Sequence, residues 1–97
     1  MPMWAVITND RTKAEKAMSQ IETKIDSEVV QRVNGSYRME VRFTNGCILR
    51  WVKPTESARG LKLDRMWIDE SLRTTEIIRD VFFHSMIHCN KENIHWI

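Results

Sequence analysis

The chain has 97 residues, a formal charge of +2 with acids and bases interspersed, and two cysteines, Cys47 and Cys89. That length fits one domain, residues 1–97, with a single modest core. The mixed charge does not mark a nucleic-acid binder, two cysteines are no disulfide framework, and no apolar stretch is long enough to span a bilayer. The opening residues show neither a basic leader nor a long apolar region, so the expectation is a cytoplasmic protein, in the host cytoplasm if viral, with no membrane contact.

Met3 to Ile7 is a short apolar, β-prone run and reads as a buried strand. Asn9 or Asp10 then offers a helix N-cap. From Arg11 to Ile25 the apolar residues Ala14, Ala17, Met18, Ile21 and Ile25 share one face. Lys13, Lys16, Gln20 and Lys24 share another, which predicts an amphipathic helix packed on a sheet. Val29, Val30 and Val33 make a short strand, and Asn34-Gly35-Ser36 a turn. Tyr37, Met39, Val41 and Phe43 alternate with Arg38, Glu40, Arg42 and Thr44, the period of a half-buried strand. Asn45-Gly46 is a hairpin signal. A two-residue loop there would set Phe43 opposite Ile48 and Met39 opposite Val52, leaving Arg50 alone on an apolar face. Residues 29–52 thus read as an antiparallel meander.

Pro54 closes that meander, and a polar loop leads to Arg65-Met66-Trp67-Ile68, a short strand running into Asp69-Glu70. A second helix is expected from Ser71 to about Cys89, and Ile94, Trp96 and Ile97 could add a last strand. The fold class is α/β or α+β: two helices on a mixed sheet of five or six strands.

The sharpest chemical signal is Met66-Trp67-Ile68-Asp69-Glu70. A strand ending in Asp-Glu is the Walker B pattern, in which one acid helps to hold Mg²⁺ and the next orients water. The same letters also describe a strand that ends at the surface, or acids in the first turn of a helix. The context is Phe43-Thr44-Asn45-Gly46-Cys47-Ile48-Leu49, then Ser57-Ala58-Arg59-Gly60, then Asp64 and the acid-tipped strand. In this order the segments resemble the ATPase domain of phage large terminase subunits, over most of residues 3–75. The resemblance implies a P-loop-like core with Met3–Ile7 and Arg65–Ile68 as parallel neighbours. It matches Asp69 to the Mg²⁺-associated acid, Glu70 to the catalytic glutamate and Arg59 to a loop beside the nucleotide crevice.

One part is missing. No Gly-x-x-x-x-Gly-Lys-Ser/Thr occurs; Gly35, Gly46 and Gly60 are far apart, and none precedes Lys-Ser or Lys-Thr. Without that loop nothing cradles the β- and γ-phosphates. The expectation is therefore a non-catalytic, terminase-like phage or prophage protein without cofactor. It would act through a protein partner or a second copy, using exposed members of the set Trp4, Trp51, Trp67 and Trp96. Asp69, Glu70 and Arg59 would be remnants of a nucleotide site. The alternative is a small nucleic-acid-binding module using Arg38, Arg42 and Arg50. His84 and His88 stand one turn apart, but structural zinc needs four converging ligands, so two surface histidines are expected and no metal. Both cysteines read as buried thiols.

Overall fold

Residues 3–7 are apolar without a break, as suits a strand covered on both faces. In the computed structural model, which describes residues 3–35, 38–55, 62–82 and 89–97, that run is β1 (Met3–Ile7). Ala5, Val6 and Ile7 are fully buried. β1 lies inside one mixed sheet of order β2-β3-β4-β1-β5-β6. The remaining strands are β2 (Val29–Asn34), β3 (Met39–Phe43), β4 (Ile48–Val52), β5 (Arg65–Ile68) and β6 (Ile94–Trp96). β1 pairs in parallel with β4 and β5, so that Ile7 stands between Val52 and Ile68. β6 continues the parallel half beyond β5. β2, β3 and β4 form the expected antiparallel meander.

Strand alternation sends Val6 to one face of the sheet and Ala5 and Ile7 to the other. The helix α1 (Arg11–Glu22) covers the first, packing Ala14, Met18 and Ile21 against Val6, Val41, Leu49 and Trp51. The short helix α2 (Glu76–Val81) covers the second, where Ile78, Val81 and Phe82 meet Ala5, Ile7, Met66 and Ile68. The fold is α/β, with a helix on each face. Among the described residues, no helix is long and apolar enough to cross a membrane.

Three elements differ from the sequence expectation. α1 ends at Glu22 rather than near Ile25: Lys24 and Ile25 donate to the carbonyls of Ile21 and Glu22 in tighter turns, and Ile25 still packs on the core. The Asn-Gly hairpin closes through three residues, not two. Glu40 faces Arg50, Val41 faces Leu49 and Arg42 faces Ile48, one residue off the expected register. Gly46 takes a positive φ of 87°, as a three-residue loop requires, and the Asn45 side chain accepts from the Cys47 N–H at 2.9 Å. The slip replaces Val41 by Glu40 opposite Arg50, giving the arginine an acidic cross-strand neighbour beside Ala5 of β1. Third, residues 70–72 form a 3₁₀ turn, and α2 begins only after Thr75. Cys89, expected at the end of this helix, lies outside any helix, and residues 83–88 fall outside the described set.

Candidate functional site at the carboxyl ends of the parallel strands

β1 and β5 are adjacent and parallel, yet the chain leaves β1 for α1 on one face and β5 for α2 on the other. Such a divergence opens a crevice beyond the strands' carboxyl ends, where ligands of α/β sheets commonly bind. Two buried polar residues stand there: Thr8, the residue after β1, and Asp69, the residue after β5. The Asp69 N–H donates to the Ile7 carbonyl at 2.9 Å, so the parallel ladder fixes the position of its carboxylate.

That carboxylate accepts four hydrogen bonds. One oxygen, Oδ2, accepts from the Thr8 hydroxyl at 2.8 Å. The other, Oδ1, accepts from Lys13 Nζ at 2.8 Å, from the Ser71 N–H at 3.0 Å and from the Ser71 hydroxyl at 2.9 Å. Three of the four donors crowd onto Oδ1, so that oxygen is filled by the chain itself. Burial alone would raise the pKa of Asp69. The hydrogen bonds from Lys13, Thr8 and Ser71 outweigh burial and hold it well below the usual carboxylate range. Lys13 also donates to the Ile97 carbonyl at 3.1 Å, and Thr8 Oγ1 accepts from the Asp10 N–H at 3.1 Å. Trp51 Nε1 donates to the Thr8 carbonyl at 2.8 Å, closing the corner from the β4 side.

The N-terminus of α1 opens on the same corner, and a carboxylate of the chain itself occupies it. Asp10 is the N-cap and accepts from the N–H groups of Thr12 at 2.9 Å and Lys13 at 3.3 Å. These helix-end donors are the kind that would otherwise hold a phosphate.

Glu70 behaves differently from its neighbour. Its side chain is exposed and engaged by Arg73 Nη1 at 3.1 Å and 3.4 Å, while its N–H donates to the Ile97 carbonyl. Arg50 faces Glu40 across the hairpin, and Arg73 holds Glu70. Arg59 lies outside the described residues. Arg38 and Arg42 converge on the buried Glu40, at 3.4 Å and 3.1 Å, so the arginines of the hairpin surround a carboxylate. His84 and His88 also lie outside the described residues, and among those described no group of three potential ligands could hold a metal. Cys47 and Cys89 are buried free thiols whose pKa values burial raises.

Comparison with family models, with curated proteins and with solved structures gives no match.

Three residues of the corner escape a reading of the sequence. Lys13 looks like one of several lysines on a solvated helix face, and its partner is 56 positions away. Thr8 and Ser71 belong to no recognisable motif. The available hint is their spacing: a hydroxyl just after one strand, a lysine in the first turn of the next helix, and an acid-hydroxyl pair after another strand. The corner does not fit the Mg²⁺-nucleotide pair that the Walker B-like spelling implies. Lys13 and Ser71 occupy Asp69 Oδ1, Asp10 fills the helix end, and no glycine loop joins β1 to α1.

Proposed function

We propose that this chain is a non-catalytic relative of the terminase motor domain, of phage or prophage origin, that acts through protein contacts. The observation that carries the non-catalytic part is the engagement of Asp69 by Thr8, Lys13 and Ser71, with Oδ1 filled by Lys13 and Ser71. A magnesium ion at Oδ1 would have to displace the charge-assisted hydrogen bond from Lys13, and a phosphate at α1 would have to displace Asp10. Internal carboxylates and a lysine thus take the places that ligand charge would take in a motor. The parallel pairing of β1 with β5, with an acid at the end of β5, supports the comparison with motor folds. Two buried thiols support a reducing cytoplasm as its place of work.

The exposed parts of the tryptophans support protein contact as the route to function. Trp4, Trp67 and Trp96 are each only partly buried, which suits aromatic anchors at an interface. The test is phosphate release and equilibrium nucleotide binding on monodisperse protein with magnesium. No turnover and no ATP binding are expected. Robust hydrolysis that disappears in Glu70→Ala would refute the reading.

A further inference from the structure

A second feature lies away from the acid-tipped strands, on the sheet face that carries α1. A cleft of about 190 Å³ runs between the end of that helix and an aromatic row across β1, β5 and β6. Trp4, Trp67 and His95 form one wall; Ile21 and Ile25 form the other. The remaining lining residues are cationic, Lys24 and Arg65, and among the described residues no carboxylate lines the cleft.

We infer that this cleft docks an acidic segment of a partner protein, seating an apolar side chain between the aromatic and aliphatic walls and placing flanking carboxylates on Lys24 and Arg65. The inference rests on the protein-contact reading above and names the chemistry of the partner. Three observations carry it.

The lining is apolar with cations at the rim, so the complementary ligand is apolar with anions beside it. Arg65 is already ordered: its guanidinium stands 5.0 Å from the Trp4 ring centre and donates to Asn93 Oδ1 at 3.1 Å. A guanidinium held this way loses little freedom on meeting a carboxylate.

The aromatic rings, third, pack on one another rather than lying open. Trp67 has Trp4 tilted against it at 5.7 Å and His95 stacked on it at 5.4 Å, while Arg65 covers Trp4. A nucleobase needs an open ring face to stack on. With His95 on one face of Trp67 and Arg65 on one face of Trp4, these rings offer a stacking base fewer open faces, while their apolar carbons still line the cleft for an aliphatic group. The geometry therefore favours an acidic peptide over single-stranded nucleic acid.

The test uses the whole chain and follows the tryptophan indole N–H signals by NMR. The probe is a blocked hexapeptide of leucine and phenylalanine between aspartates; an oligothymidylate is the competitor class. Saturable shifts of Trp4 and Trp67, with Trp51 unmoved, are expected for the peptide and none for the oligonucleotide. Lys24 is exposed, so Lys24→Glu should fold normally by circular dichroism and weaken the peptide about five-fold at low salt. The inference fails if the peptide gives no saturable shift, if the oligothymidylate moves the same signals, or if Lys24→Glu binds as the parent does. None of these outcomes bears on ATP turnover, so the non-catalytic reading would stand or fall separately.

Discussion

A carboxylate buried at a strand end must find donors or take up a proton. Asp69 finds four, and their cost and benefit appear in the pH dependence of stability. Its folded pKa lies below the value of about 3.9 that it has in the unfolded chain, so the unfolded chain binds more protons in acid. The contribution is fully present above the unfolded value and is lost as pH falls through that value toward the lower folded one. Urea midpoints should therefore hold steady from pH 7 to 5, as far as this group is concerned, and fall below pH 4. Asp69→Asn should flatten that fall and cost about 1–3 kcal/mol at neutral pH, since an amide satisfies fewer of the four donors. The Lys13 side chain is 38% exposed, so solvent screens its share and the lower part of that range is expected for Lys13→Met. The cysteines offer an independent check: Cys47 and Cys89 should react with a thiol reagent only slowly in the folded protein and at once in denaturant. At this scale the acids were legible because Asp-Glu after an apolar run is a recognisable spelling. Their partners were not, because Thr8 and Lys13 reach Asp69 through the tertiary fold.

At the scale of elements, strand β1 and the order of the strands and the two helices could be read from apolar runs and turn residues. The hairpin register could not, since Asn45-Gly46 fits two loop lengths equally well. The clue was Arg50, set opposite Val41 by the shorter loop and opposite Glu40 by the longer. Residues 27 and 28 brace the loop that forms: Ser27 Oγ accepts from the Asn45 N–H and the Glu28 carbonyl from the Thr44 N–H. Because Gly46 sits at a φ of 87°, Gly46→Ala should cost roughly 1 kcal/mol or more, measurable by thermal denaturation. Asp10→Ala should cost about 1 kcal/mol by uncapping α1. That variant also clears the helix end of its built-in carboxylate, so phosphate binding by Asp10→Ala, and none by the parent, would show that Asp10 is what keeps anions out. The interruption between β5 and α2 was hidden because Thr74 and Thr75 are compatible with a helix yet equally with the turn they form.

For the whole molecule, the sheet order grades stability from the middle outwards. β1 is buried on both faces and paired on both edges, whereas β2 is an edge strand with five of its six residues exposed. Amide exchange should therefore be slowest in β1 and its neighbours β4 and β5 and fastest in β2. Uniform protection across the sheet would contradict that grading. Val29 and Val30 are exposed on this outer strand, where a bulge between Val29 and Gln31 and the ion pair of Arg32 with Glu22 make it a poor template for further pairing.

The central position of β1 has a further consequence, for the ribosome. The strand that ends at Ile7 is among the first pieces of this segment to be synthesised, but its partners are residues 48–52 and 65–68. At roughly 5–20 residues per second, several seconds pass before either neighbour has emerged. Throughout that delay the most apolar ribbon of the molecule is a guest without a seat, and the nascent chain should depend on chaperones far more than the finished protein does.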